Sequence, residues 1–184
     1  MAGHRDDHDI LTVGHSTHAF DDFVTLLRRH GIERLVDVRI APGSRRLPHF
    51  ARDRLAEALP AAGIDYVHAK ALGGRRRPLP DSPNTGWRNA GFRGYADYMG
   101  TGGFAAALAE LEQLARERRT AIMCAEALWW RCHRRLIADA LSTRGWSVTH
   151  IASDGTPAAH EVTAFAQVHD GRLAYPGAAR QLEL

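Results

Sequence analysis

The chain reads as an α/β protein of three layers: a mainly parallel sheet with helices on both faces, and a long loop insertion over 70–91 covering the strand carboxyl ends. Two observations predict this. Short apolar runs alternate along the chain with longer segments whose apolar residues recur at helical spacing. The chemically loaded residues follow directly after the short runs, and in open α/β sheets ligands bind beyond the carboxyl ends of the strands.

The elements follow in order. Met1–Asp9 is polar and acidic without the apolar core of a secretion signal, so it reads as a disordered lead-in to a single domain over 10–184. Ile10-Leu11-Thr12-Val13-Gly14 reads as the first strand, leaving its sheet at Gly14-His15-Ser16-Thr17. Phe20, Phe23, Val24 and Leu27 then mark a helix, with Asp21 and Asp22 in its positive first turn, Arg28, Arg29 and His30 in its last, and Gly31 at the stop. Leu35–Arg39 is the second strand, and Ala41–Pro48 a loop by its prolines and glycine. A short helix over Asp53–Ala62 leads to the third strand, Ile64–Val67, closed by His68. Lys70–Gly91 holds three prolines, four glycines and few apolar residues, which makes a long loop. Trp87 and Phe92 give this loop apolar anchors, so it is expected to fold over the strand edge as a lid. A helix over Phe92–Met99 and another through Phe104, Leu108, Leu111 and Leu114, ending near Arg119, precede the fourth strand, Ala121–Cys124. The next helix, starting near Trp129, carries Trp130, His133, Ile137, Ala140 and Leu141 on one stripe and stops at Gly145. Val148–Ile151 is the fifth strand. Glu161–Val168 is compatible with helix or strand, and Asp170-Gly171 is a turn before Arg172–Tyr175.

A length of 184 residues suits one domain that needs neither disulfide nor metal for stability. No apolar run approaches the roughly 20 residues of a membrane span, and the only two cysteines, Cys124 and Cys132, lie in one segment, where they would make a poor staple and suit a reducing compartment. A cytoplasmic location is the expectation. The net charge of +3 is too small to announce a nucleic-acid binder. Lys70 is the only lysine among 24 basic side chains, so an arginine here is more often a solvated surface residue than a ligand contact.

Four blocks, read together, carry a resemblance. Thr12-Val13-Gly14-His15-Ser16; Leu35-Val36-Asp37-Val38-Arg39 with Pro42 and Ser44-Arg45; Tyr66 with Leu72-Gly73-Gly74; and Cys124-Ala125-Glu126 with Cys132-His133-Arg134 resemble, in order and spacing, the motifs of the Domain of Unknown Function 488 family. The likeness runs from about Leu11 to Ile151, with Ile40-Ala41 at variable positions and Trp129-Trp130 as a subgroup feature. It implies an α/β fold found in bacterial and archaeal cytosolic proteins, and no activity.

The residues themselves suggest an enzyme acting on a phosphorylated or nucleotide-like anion. Glu126, two residues past an apolar strand and among cations, is a candidate acid/base or nucleophile, although a carboxylate there also suits the next helix's N-terminus. His15 is its candidate proton partner. Cys132, near a helix N-terminus beside Arg131 and His133, is the third catalytic candidate and should be a more acidic thiol than Cys124. Substrate-binding candidates are Ser16, Arg39, Ser44, Arg45, His68, His133 and Arg134; Arg39 and Arg45 flank a Pro-Gly-Ser turn suited to holding an anion, the alternative being that Arg39 only pairs with Asp37 or Glu126. No cofactor is expected. A metal held by Cys132 or His133, with Cys124 and His15 to complete it, lacks the short ligand gap of common zinc sites. The rival reading is a non-catalytic nucleic-acid-binding module in which the same arginines and the Arg75–Tyr95 loop, with its interleaved aromatics, contact backbone and bases. The sequence leaves the oligomeric state open.

Overall fold

Successive side chains of a strand point to opposite faces of its sheet, and the central strands here are apolar on both. In the computed structural model, which describes residues 8–43 and 45–178, Ile10, Val36, Ile122 and Val148 face one layer of the core, and Leu11, Val13, Leu35, Ala121, Met123 and Ile151 face the other. A sheet buried on both faces requires helices on both, and the chain supplies them. α1 (Phe20–Arg29) and α2 (Arg52–Ala61) cover one face through Phe23, Leu27, Leu55 and Leu59, while α3 (Ala90–Met99), α4 (Gly102–Glu117) and α5 (Arg134–Ser142) cover the other through Tyr95, Phe104, Leu108 and Ile137. Each such side chain, fully buried, contributes roughly 1.5–3 kcal/mol.

The strands are β1 (Asp9–Gly14), β2 (Arg34–Asp37), β3 (Asp65–His68), β4 (Thr120–Cys124), β5 (Ser147–Ile151) and β6 (Pro157–Ala159), ordered β3-β2-β4-β1-β5-β6. The first five are parallel, and β6 adds an antiparallel edge. A hairpin of β7 (Gln167–His169) and β8 (Arg172–Ala174) turns at Asp170-Gly171, as expected. The order contains a switch point. After β1 the chain crosses toward β2 by way of α1 on one face, and after β4 it crosses toward β5 by way of α5 on the other. The loops leaving adjacent β1 and β4 therefore diverge, opening the place where such sheets hold ligands.

The three-layer α/β expectation holds, with local corrections. Asp9 is not lead-in: it belongs to β1 and pairs with Arg119 at 2.9 Å. The rest of the lead-in through residue 7 lies outside the described residues. β2 stops at Asp37, because that carboxylate turns back onto the backbone N–H and guanidinium of Arg39. β3 starts one residue late and includes His68. The helix expected from Trp129 begins at Arg134; Trp129–Arg131 is a separate 3-10 turn, with Cys132 extended between them. Most of 161–168 is irregular. The 70–91 segment is ordered and only its first part lies at the strand ends: Gly73 packs on Ile40 and Gly74 on His133. Its remainder docks on α3, where Asp97 receives Leu79 N–H, Ser82 Oγ–H and Asn84 Nδ2–H. Among the described residues no helix is long and apolar enough to cross a membrane.

Candidate functional site

Gly14 and Cys124 are register partners at the switch point, and the loops beyond them stay close, with His15 N–H donating to Cys124 O and Ser16 N–H to Ala125 O. This approach requires glycine at position 14, since a Cβ there would fall 2.0 Å from the Glu126 carbonyl oxygen. Two polar clusters grow from this point.

The first surrounds Asp37 and Arg39. Arg39 is buried and grips Asp37 with both edges of its fork, Nε to Oδ1 at 2.8 Å and Nη2 to Oδ2 at 2.6 Å; Nη2 also donates to Phe50 O, and Nη1 to His15 Nε2 at 3.2 Å. Because arginine only donates, His15 Nε2 accepts, and its Nδ1–H goes to Ser16 O at 2.9 Å. His15 is a neutral imidazole stacked on Phe50, its pKa lowered from 6.5 to about 4 by burial first and by the Arg39 charge second. Tyr66 donates its hydroxyl to Asp37, and burial, then Asp37, pushes that hydroxyl's pKa up. His68 Nε2 donates to Arg39 O at 2.8 Å. Nearly every donor of Arg39 is thus spent inside the protein, the Asp37 pairing weighed from sequence. Arg45 is exposed and has no hydrogen bond or ion pair with a described residue, so nothing links it to Arg39. Ser44 lies outside the described residues. Ser16 has a positive φ of 46° at the exit of β1.

The second cluster carries the nucleophiles. The Sγ atoms of Cys124 and Cys132 and a ring nitrogen of His133 lie within 4.8 Å of one another. His133 Nε2 is 3.0 Å from Val38 O, which can only accept, so Nε2 carries the proton. That leaves Nδ1, 3.6 Å from Cys132 Sγ, to accept the thiol's proton and, once it holds it, to face the thiolate as a donor. Gly74 closes over the same edge of the ring; a Cβ there would sit 2.9 Å from Nδ1. The Cys132 thiol is held well below the ordinary range, first by a hydrogen bond from the Cys124 thiol, then by its bond to His133 and the charges of His133 and Arg134. Cys124 moves the opposite way, up, because it supplies that S–H and is buried beside the partner's charge. The acidity order expected from sequence agrees, but not its cause: Arg131 is exposed, and α5 begins two residues after Cys132.

Arg134 explains why a thiolate suits this place. It is fully buried, and no described residue forms an ion pair with it. Nη2 donates to Glu126 O and Nη1 to Thr12 Oγ1, while Nε has no partner. Thr12 passes its own proton to His150 Nδ1 at 2.7 Å, His150 Nε2–H donates to His160 Nδ1 at 2.9 Å, and His160 Nε2–H to Asp139 Oδ1 at 2.8 Å. Tyr175 OH and Thr163 N–H complete the Asp139 carboxylate. This chain has one direction because it starts at a pure donor and ends at a pure acceptor. His150, stacked on Trp129 at 3.9 Å, has its pKa lowered to about 3 by burial, then by His160. Sequence reading missed Thr12, Asp139, His150 and His160.

Glu126 does not occupy the place expected of it. Its side chain is exposed, accepts from Leu128 N–H at 3.3 Å and pairs with no described arginine; its contribution to the cluster is its backbone carbonyl. As for metals, Cys124, Cys132 and His133 present three donor atoms with the imidazole backed by a carbonyl. A divalent ion held there by two thiolates would leave the charge of buried Arg134 uncompensated.

A family model described as "Domain of unknown function DUF488" matches residues 19–141. The chain belongs to this family. No curated protein and no solved structure matches it. The DUF488 match spans β2, β3, β4 and most of α5, and so includes Asp37, Arg39, Cys124, Cys132, His133 and Arg134, while Thr12, His15, His150 and His160 fall outside it.

Proposed function

We propose that the protein is a thiol-dependent enzyme acting on a small anionic molecule, with Cys132 as nucleophile, His133 as its proton partner and Arg134 as a fixed cation. The observation that carries this reading is the His133 ring: with Nε2–H spent on Val38 O, Nδ1 is left to take the Cys132 proton at 3.6 Å. The anionic substrate follows from charge. When Cys132 bonds to an electrophilic centre its negative charge disappears, and buried Arg134 faces an anion again only if the bound group brings a negative charge of its own. A phosphorylated or carboxylated electrophile does so. This moves the nucleophile's role from Glu126 to Cys132. The nucleic-acid-binding alternative draws less support, because Trp87 and Tyr95, two of the three loop aromatics offered for stacking, are buried.

Two alkylating reagents of nearly equal size test the reading. Iodoacetate leaves a carboxylate on the sulfur and iodoacetamide a neutral amide. Cys132 should react with iodoacetate preferentially, relative to the same rate ratio for glutathione, and should keep its reactivity below neutral pH; Arg134→Met should remove the preference. A ratio like that of glutathione in the wild type would sink the anionic-substrate reading, and a pH profile like that of an ordinary thiol would sink the nucleophile.

A further inference from the structure

We infer that Cys124 is the resolving partner of Cys132, so that the pair forms a reversible intramolecular disulfide and the site is a modification site for peroxides. The inference rests on the thiolate reading above. Its separate ground is geometric: the two sulfurs lie within 4.8 Å of each other together with the His133 nitrogen, and both cysteines are free. The 3-10 turn Trp129–Arg131 folds the chain so that Cys132 comes back onto the end of β4 despite seven intervening residues. The resulting asymmetry is the one two-step oxidation requires, an acidic thiol that attacks and a protonated one that waits.

The steps balance with a hydroperoxide as the named oxidant. The Cys132 thiolate attacks one peroxide oxygen, the O–O bond breaks, and Cys132 becomes a sulfenic acid as hydroxide or alkoxide leaves and takes up a proton. Cys124, giving its proton to the departing hydroxyl, then attacks the Cys132 sulfur; the S–O bond breaks, water leaves and the S–S bond forms. A ring nitrogen of His133, within 4.8 Å of both sulfurs, is placed to pass that proton from Cys124 to the departing hydroxyl. A dithiol reductant reverses the sequence by exchange. Cys132 is 4% exposed, which suits a small peroxide and slows reaction with large thiols.

The test uses the whole folded protein. After stoichiometric hydrogen peroxide, non-reducing peptide mapping should find Cys124 and Cys132 linked in one peptide with the loss of two hydrogens, both sites closed to alkylation and reopened by dithiothreitol. Cys124→Ser should instead accumulate a dimedone-reactive sulfenic acid on Cys132 and then over-oxidise, and Cys132→Ser should form neither product. Two failures are distinguishable. Wild-type Cys132 that oxidises to sulfinic acid as fast as in Cys124→Ser, without a disulfide, overturns this inference and leaves the nucleophile standing. Cys132 that is no more reactive toward peroxide than glutathione overturns both.

Discussion

Acid stability offers a quantitative check on the electrostatics of the strand ends. His15 and His150 are neutral in the folded protein, with pKa values lowered from 6.5 to about 4 and about 3. A folded-state value below the unfolded one means that the unfolded chain binds protons first as the pH falls. The stability each group contributes is therefore full above pH 6.5 and is lost progressively down to its folded value. Between pH 7 and pH 5 each histidine should cost the folded state on the order of 2 kcal/mol, at roughly 1.4 kcal/mol per pH unit. The pair thus removes about 4 kcal/mol of a total typically 5–15 kcal/mol. His15→Phe keeps a ring against Phe50 but removes the titrating group. Its stability at pH 7 should fall, since Arg39 Nη1 loses an acceptor, yet the loss between pH 7 and pH 5 should be smaller than in the wild type by about 2 kcal/mol. Urea unfolding of both proteins at the two pH values measures this. Equal pH dependence in the two would refute the placement of a neutral His15 between Arg39 and Phe50.

The remaining predictions concern two glycines and a hydroxyl. Gly14→Ala should destabilise by about 3 kcal/mol or more, because its Cβ meets the Glu126 carbonyl, a backbone atom that also holds Arg134; wild-type stability in thermal unfolding would contradict the close approach of the two loops. Gly74→Ala should act locally: its Cβ presses on His133 Nδ1, so the Cys132 alkylation profile should move to higher pH with a smaller change in melting temperature, and an unmoved profile would count against the Cys132–His133 contact. Tyr175→Phe removes one donor from buried Asp139 and should cost about 1–3 kcal/mol in unfolding free energy, with a change under 0.5 kcal/mol telling against the relay as drawn.

Much of this fold was legible because burial on both sheet faces leaves a plain signature: short runs dominated by apolar residues between helical patterns. The strand-end rule likewise pointed to His15, Arg39, Cys132 and Arg134. What it could not give was the partner of each. Arg39 looked available for an anion, yet Asp37, two residues earlier, takes its fork. Glu126 drew attention as a carboxylate, while the atom that matters is its carbonyl, which leaves no trace in residue type except the glycine opposite. The relay was hidden because its members come from β1, α5, β5 and the segment after β6, a strand the sequence did not reveal. One signal was present: His150 interrupts an apolar central strand, and Arg134 and Asp139 sit in a helix otherwise buried through Leu136, Ile137 and Leu141. Polar groups in such places need partners.

The ionisation of Cys132 is the centre of this account, and ultraviolet thiolate absorbance measures it directly. The folded wild type should carry one thiolate per chain at neutral pH, Cys124→Ser should keep it with a raised apparent pKa, and Cys132→Ser should lose it. Absence of thiolate absorbance from the wild type below pH 8, or its persistence in Cys132→Ser, would contradict the proposed role of Cys132 as nucleophile.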